Sequence, residues 1–411
     1  MPPALDVDYV RSRFPAFAEP SLRDWCFFEN AGGSFACAPV IGRLERYYRA
    51  TKVQPYGPYP ASRDAGEQMD HATMRMAAML NIPAEELCIG PSTSQNTHVL
   101  ARAFAGILNA GDEIIVTNQD HEANSGCWRR LAEMGVVVHE WRIDPESGQL
   151  RIADLENLLG PRTRLVAFPH CSNIVGQIND VAAISLRVHE AGALAVADGV
   201  SYAPHGLPDV AAAGADVYLF STYKTYGPHQ GIMVVRRNLL RRLPNQGHWF
   251  NEADLGKRLI PAGPDHAQVA ACAGIADYMD DLYAHHHGAG ETVDAARRCR
   301  AVGEMFRRHE TALLEPLLEY LAATGKARII GSGKADGRAP TVALDTIRAP
   351  ERICADLAEL GIMAGAGHFY AVRTLQGLGI DPERGVLRLS FVHYTSEREI
   401  DQLIAALETV L

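Results

Sequence analysis

The chain has 411 residues, of which 47% are hydrophobic and 21% charged, and a length well beyond about 250 residues predicts two lobes rather than one core. A net charge of -10 argues against a nucleic-acid-binding face, and no apolar run approaches the length of a membrane span, so neither nucleic acid nor membrane is expected as a partner. The N-terminal residues MPPALDVDYVRSRF lack the basic-then-apolar order of a signal peptide, which predicts a cytoplasmic protein.

Short β-rich runs alternate with helical stretches through the first two thirds of the chain. The predicted strands lie at 87–90, 113–117, 136–141, 164–170, 194–198, 216–221 and 231–235, and helices between them are predicted at 97–108, 124–134, 152–159 and 181–191. Apolar strands separated by helices indicate an α/β fold with a mostly parallel seven-stranded sheet. Because ligands collect beyond the carboxyl ends of such strands, we expect the chemistry at that edge.

After about Pro264 the pattern changes to that of a smaller α/β lobe. Long helices are predicted at 267–284 and 292–321, short strands near 327–330, 341–345 and 385–391, and a last amphipathic helix at 396–411. We therefore expect an N-terminal segment 1–30 that contributes to the small lobe, a large domain 31–265, and a small C-terminal domain 266–411. The eight cysteines are scattered without a C-x-x-C pair, so neither disulfides nor a metal site is predicted.

Two predicted strands end in side chains that suit imine chemistry. Within LFSTYKTYGP (219–228), an apolar strand brings Lys224 to its carboxyl end, where a partly desolvated amine has a lowered pKa and can form an imine. Alone, it would more commonly be a surface lysine. The preceding strand, LAVADG (194–199), ends in Asp198, which could pair with a protonated ring nitrogen or cap the following turn.

Two further turns lie at the same predicted edge. GPSTSQN (90–96) joins a strand to a helix, so that backbone amides and the Thr93 and Ser94 hydroxyls would suit a phosphate, although a plain helix cap has the same pattern. DHEAN (120–124) follows another strand and carries His121, which could stack on a flat cofactor, move protons, or be an ordinary loop residue.

Together these segments resemble the class V aminotransferase family of fold-type-I pyridoxal 5'-phosphate (PLP) enzymes, which includes cysteine desulfurases, selenocysteine lyases, isopenicillin N epimerase and kynureninase. The resemblance extends from FENAGG (28–33) to the last helix. It implies a PLP-binding large domain at 31–265, and a homodimer whose active sites form at the subunit interface. A Rossmann-type oxidoreductase lacks support, since no G-x-G-x-x-G turn follows an early strand.

The resemblance also implies roles for individual residues. Lys224 would carry PLP as a Schiff base, Asp198 would hold the pyridine nitrogen, and His121 would stack on the ring. The remaining implied cofactor contacts are Thr93, Ser94, Asn173, Ser201, Ser221 and Tyr223. The implied substrate-binding residues are Asn30, Asn173 and Arg388, and the planar guanidinium of Arg388 suits a carboxylate.

Three positions depart from the family pattern. Tyr370, in GHFYA (367–371), stands where cysteine desulfurases have their nucleophilic cysteine, so no enzyme persulfide can form there. Ser201 stands where many relatives have glutamine or histidine against the 3-oxygen. AGPDH (262–266) lacks the threonine with which relatives reach the phosphate of the partner subunit.

The implied reaction begins with an amino acid bound as an external aldimine and proceeds through a carbanion. We expect a desulfurase-like β-lyase that cleaves a C–S or related bond without a persulfide cysteine. A class V aminotransferase and an amino-acid epimerase are the alternative functions, because likeness of fold does not determine the reaction. A non-catalytic PLP carrier is disfavoured, since Lys224, Asp198 and Arg388 are all present.

Overall fold

A seven-stranded sheet forms the centre of the large lobe in the computed structural model, which describes residues 3–288 and 293–411. In chain order the strands are β1 (Cys26–Phe27), β2 (Leu87–Gly90), β3 (Glu113–Thr117), β4 (Val137–Trp141), β5 (Thr163–Pro169), β6 (Leu194–Asp198), β7 (Val217–Ser221), β8 (Gly231–Val235), β9 (Ala327–Ile329), β10 (Thr341–Thr346), β11 (Ile362–Met363), β12 (Gly365–Gly367) and β13 (Val386–Ser390). The helices are α1 (Val7–Ser12), α2 (Ala38–Ala50), α3 (Pro60–Met79), α4 (Thr93–Ala105), α5 (Glu122–Arg129), α6 (Ile152–Glu156), α7 (Val181–Glu190), α8 (Val210–Ala213), α9 (Arg237–Leu240), α10 (His266–Ala271), α11 (Ala273–His287), α12 (Ala295–Thr324), α13 (Pro350–Glu359), α14 (Val372–Gly377) and α15 (Glu397–Val410).

The order of strands across the large sheet is β2-β8-β7-β6-β5-β3-β4. The pairs from β4 to β7 are parallel, and β8 runs antiparallel to both of its neighbours. The prediction of a mostly parallel seven-stranded sheet is therefore confirmed. In the register of β5, β6 and β7, Asp198 lies beside Pro169 on one side and Leu219 on the other, so the ends of these strands meet at one edge.

Most predicted strand boundaries agree with the structure within one residue, whereas the helices differ more. Helix α4 begins at Thr93 instead of 97, because the Ser92 hydroxyl accepts a hydrogen bond from the backbone N–H of Gln95 and caps the helix. The predicted helix at 267–284 is two helices, α10 and α11, and Thr292, the predicted start of the next helix, lies outside the described residues.

Helices α2 and α3 were not predicted. Helix α3 begins at Pro60, within a Pro-rich stretch at 54–63, and proline is well suited to the first position of a helix. Its buried face consists mainly of alanine and methionine, among them Ala65, Met69, Ala72 and Met76. Such small and flexible side chains, mixed with Ser, Asp and Thr, gave a weak helical pattern.

The C-terminal part contains a four-stranded antiparallel sheet in the order β12-β13-β10-β9. Helix α12 packs on it through leucines that are almost fully buried, each contributing about 2 kcal/mol of hydrophobic stabilisation. These are Leu313, Leu314, Leu317, Leu318 and Leu321. Strand β1 pairs with β11, so residues 26–27 join the C-terminal part, while α10 and α11 pack against α2 and α3.

Among the described residues, no helix combines the length and apolarity needed to cross a bilayer. The division of the chain at residues 30 and 265 stays a prediction.

Candidate active site

Lys224 lies between two chambers at the carboxyl edge of the large sheet. Strand β7 ends at Ser221, and the turn Thr222–Lys224 carries the buried lysine side chain. The two chambers share three lining residues, Val200, Ser201 and Lys224. The residues predicted to contact a cofactor all line the first chamber, namely Thr93, Ser94, His121, Asn173, Asp198, Ser201, Ser221, Tyr223 and Lys224.

The amine of Lys224 is electrostatically adapted to act unprotonated. Burial and, secondarily, the positive charge of Arg388 lower its pKa from the ordinary 10.5 to about 8, while the negative charges of Asp198 and Glu29 oppose that shift. The lysine turn is held from the N-terminal segment, since Ser34 Oγ donates a hydrogen bond to the Lys224 carbonyl oxygen at 2.6 Å. An amine with this pKa is partly unprotonated at neutral pH and available as a nucleophile or base.

Two buried carboxyl groups line the first chamber. Asp198, at the end of β6, accepts a hydrogen bond from the Val200 N–H at 2.8 Å, and burial raises its pKa to about 6. Asp120 accepts hydrogen bonds from Thr117 Oγ1 and Asn124 Nδ2. Burial and the nearby charge of Asp198 raise the pKa of Asp120 well above its usual range. Among the described residues Asp198 therefore forms no ion pair within 4 Å, although the positive charge of Lys224 acts on it, whereas Asp120 is held by Thr117 and Asn124.

Hydroxyl groups surround the amino end of α4, at one side of the first chamber. Thr93 Oγ1 and Ser221 Oγ lie 2.8 Å apart, and Ser94 occupies the same first turn. The Tyr223 ring stacks on the ring of His229, with centroids 4.7 Å apart and planes 3° from parallel. First-turn amides and hydroxyls in this arrangement suit an anion such as phosphate.

His121 caps the start of α5, and its ring nitrogen Nδ1 accepts a hydrogen bond from the Ala123 N–H at 3.1 Å. Burial and the positive charges of Lys224 and Arg388 lower its pKa to about 3, so the ring is neutral. Tyr370 lies near it, with ring centroids 5.3 Å apart. A neutral imidazole at the chamber wall suits stacking better than charge pairing.

Cys171 is a cysteine that lines the first chamber, although sequence reasoning did not select it. Its thiol is buried and lies near the carbonyl oxygens of Ser172 and Gly176, at 3.7 and 3.6 Å. Burial raises its pKa to about 12, so this thiol is protonated at neutral pH. Because the thiolate is the nucleophilic form, Cys171 is unsuited to accept sulfur.

Asn173 lines the first chamber and also contacts Arg388. Its Nδ2 donates to the Phe369 carbonyl oxygen at 3.0 Å, and its buried Oδ1 has no hydrogen-bond partner. Arg388, on β13, places Nη1 3.4 Å from the Asn173 carbonyl oxygen and its guanidinium carbon 3.7 Å from the centroid of the Phe369 ring. The Asn173 amide is thus a free acceptor beside a buried guanidinium.

Asn30 is placed differently from the other predicted substrate-binding residues. It lines the second chamber, and its Nδ2 lies 3.3 Å from the carbonyl oxygens of both Phe27 and Ser390. Its Oδ1 accepts a hydrogen bond from Tyr394 Oη. The side-chain amide is therefore engaged in holding the N-terminal segment against β13.

Sequence reasoning also missed Asp120 and Glu29. Asp120 was visible in the DHEAN turn, next to His121. Glu29 forms an ion pair with Arg388 at 2.6 Å, and the two residues are 359 positions apart in the chain. No local pattern could have indicated this pair.

The chain is similar to known proteins over nearly its whole length. A sequence profile of the family described as Aminotransferase class-V matches residues 26–259 and 283–403. The chain is 34% identical to the Aminotransferase-like protein FGM3 of Gibberella zeae, over 99% of this chain and 99% of that protein. It is 28% identical to a cysteine desulfurase of Serratia proteamaculans, over 98% of each chain.

Solved structures include a similar fold. The apo structure of a cysteine desulfurase from Thermococcus onnurineus NA1 superimposes with a TM-score of 0.85, covering 99% of this chain and 98% of that one. At 22% identity this likeness concerns the fold, and it confirms the fold-type-I architecture that the family resemblance implied.

Proposed function

Since this chain belongs to the class-V aminotransferase family and is a PLP-dependent enzyme, we propose that it is a desulfurase-like β-lyase that cleaves a C–S or related bond of an amino acid without forming an enzyme persulfide. The observation that carries the proposal is the combination at one site of a lysine adapted to act unprotonated and the lack of an activated thiol. Tyr370 stands at the cysteine position, and the Cys171 thiol that does line the chamber is protonated.

The residues of the first chamber fit PLP. Asp198 is a buried carboxyl with a raised pKa, and a protonated pyridine nitrogen would give it a charge-assisted hydrogen bond. The hydroxyls of Thr93 and Ser221 and the first turn of α4 would hold the phosphate. The buried Asn173 Oδ1, which has no partner, would face a donor on the cofactor or substrate.

When bound, PLP supplies an aldehyde that joins an amine and a ring that withdraws electrons from the substrate Cα. The residues of this chain then position the substrate and move its protons. Lys224 Nζ would remove the Cα proton, because its pKa of about 8 leaves an unprotonated fraction at neutral pH. Arg388 would bind the α-carboxylate through its guanidinium, beside Asn173.

Elimination is compatible with the groups present at this site. After proton removal at Cα, departure of a β-substituent needs no thiolate from the protein, so the sulfur would leave as a small product. A desulfurase that carries sulfur on its own cysteine needs a thiolate, and neither Tyr370 nor the protonated Cys171 provides one.

Product analysis by mass spectrometry tests this proposal. Purified PLP-loaded protein is incubated with a panel of amino acids that includes cysteine, with and without a 2-oxo acid acceptor. We expect pyruvate, ammonia and sulfide from cysteine or a related substrate in the absence of acceptor. Products that form only with the acceptor would identify an aminotransferase, and inversion at Cα alone would identify an epimerase; either result contradicts the β-lyase proposal.

The lowered pKa of Lys224 predicts how the apoenzyme takes up PLP. Only the unprotonated amine attacks an aldehyde, so the rate of covalent uptake should rise with pH and level off above about pH 8. The rate is measured by quenching samples with borohydride and quantifying the modified Lys224 peptide. A rate that still rises steeply at pH 10 would contradict the shift, and the Lys224→Ala variant provides the background from other amines.

A further inference from the structure

The Glu29 carboxylate forms an ion pair with the Arg388 guanidinium, the group that we propose binds the substrate carboxylate. Its Oε1 lies 2.6 Å from Arg388 Nη2, and the Arg388 side chain is only 3% exposed. Nη1 reaches the Asn173 carbonyl oxygen at a long 3.4 Å, while the buried Nε has no hydrogen-bond partner. The arginine therefore has one strong anionic partner and unsatisfied donor capacity.

Two glycines provide the space in which the Glu29 carboxylate lies. A Cβ on Gly32 would come within 1.8 Å of Glu29 Oε2, and a Cβ on Gly365 would come within 2.6 Å of Oε1. Neither distance is compatible with a side chain at these positions while Glu29 keeps its place. The slot between the two glycines thus fits the carboxylate closely.

The two partners of this ion pair differ in their freedom to move. The Glu29 side chain is 26% exposed, so its carboxylate can turn toward solvent, whereas Arg388 is enclosed and stacked on Phe369. A buried arginine needs a counter-charge when no ligand is present, and Glu29 supplies it. When a substrate carboxylate arrives, two anions compete for one guanidinium, and their repulsion weakens binding.

We propose that Glu29 is a specificity-determining residue, a resident anion on Arg388 that the carboxylate of an amino-acid substrate must displace or share. This inference rests on the proposed carboxylate-binding role of Arg388. Neutralising Glu29 should therefore strengthen carboxylate binding, while a neutral ligand of the same shape should be unaffected.

The test measures the dissociation constant of propionate for the PLP-loaded enzyme by ligand-observed NMR. Propionate carries a carboxylate and no amine, so it reports on Arg388 without covalent chemistry, and propionamide is the neutral control. We expect Glu29→Gln to lower the dissociation constant of propionate on the order of tenfold, the size expected when one charge repulsion in a partly buried site is removed. Glu29→Asp keeps the charge and should stay near wild type.

Gly32→Ala provides a second, independent perturbation. Its Cβ would expel the Glu29 carboxylate from the slot, so it should tighten propionate binding in the same direction as Glu29→Gln. Unchanged or weaker propionate binding in a folded Glu29→Gln or Gly32→Ala variant would overturn the inference. Equal tightening of propionamide would also overturn it, because charge would then not be the cause.

Arg388→Gln separates this inference from the proposed function. If that variant binds propionate as wild type does, Arg388 is not the carboxylate site, and both the proposed role and the inference fail. If Arg388→Gln loses propionate binding while Glu29→Gln leaves it unchanged, the role of Arg388 stands and the inference about Glu29 alone fails.

Discussion

Replacing Lys224 with alanine should reduce turnover by about a thousandfold or more, because the variant loses the amine that we propose joins PLP and acts as the base at the substrate Cα. The chamber keeps the other groups assigned to the cofactor, among them Asp198 and the hydroxyls of Thr93 and Ser221. We therefore expect PLP to bind without a covalent bond. The measurement is steady-state turnover together with mass spectrometry of the borohydride-treated protein.

Lys326→Ala is the matched control for this variant. Lys326 is exposed on the small lobe, and its Nζ lies 3.5 Å from the carbonyl oxygen of Glu408. It lines neither chamber. It should retain wild-type turnover and the covalent cofactor. A Lys224→Ala protein that remains active, or that still carries reducible cofactor on one specific lysine, would contradict the assignment.

Replacing Asp198 with asparagine should lower kcat on the order of a hundredfold or more, as expected when one well-placed electrostatic contact to a reacting group is lost. The substitution preserves shape and removes the negative charge that would pair with the pyridine nitrogen. It also removes a charge that raises the pKa of Lys224, so the pH at which covalent PLP uptake levels off should fall below that of wild type. Turnover and the pH profile of uptake measure the two effects separately.

Asp120→Asn is the comparison for Asp198→Asn, since it changes a neighbouring buried carboxyl of the same chamber. Burial and the charge of Asp198 raise the pKa of Asp120, and its oxygens are engaged by Thr117 and Asn124. We expect a smaller loss of kcat for Asp120→Asn. Equal losses for the two variants, or near-normal turnover of Asp198→Asn, would contradict the role of Asp198 as the partner of the ring nitrogen.

The parts of the site that follow strands could be predicted from the sequence. Asp198 ends a continuous apolar run and Lys224 lies three residues after the end of another, and parallel strands bring such ends to one edge. Helix α3 escaped prediction because its buried face consists largely of alanine and methionine rather than a clear stripe of large side chains. Local patterns thus indicated the sheet better than the helices that cover it.

Contacts between distant segments could not be predicted from local patterns. Glu29 and Arg388 meet because β1 pairs with β11 and because Glu29 forms an isolated parallel bridge with Ser390, two residues after Arg388 on β13. Phe369 and Tyr370 both have positive φ angles, 49° and 57°, which non-glycine residues rarely adopt and which their sequence does not reveal. Hydrogen bonds from Asn173 and from the Glu122 N–H to the carbonyl oxygens of this turn hold it in place.

The pairing of β1 with β11 has a consequence for how the protein is made. Residues 26–27 are synthesised before their partner strand, residues 362–363, which follows only after more than three hundred further residues. Until then the N-terminal segment has no sheet to join, and Glu29 has no arginine to neutralise. Assembly of the part of the site that we propose binds the substrate therefore waits for β11 and β13, both of which are synthesised after the whole of the large sheet.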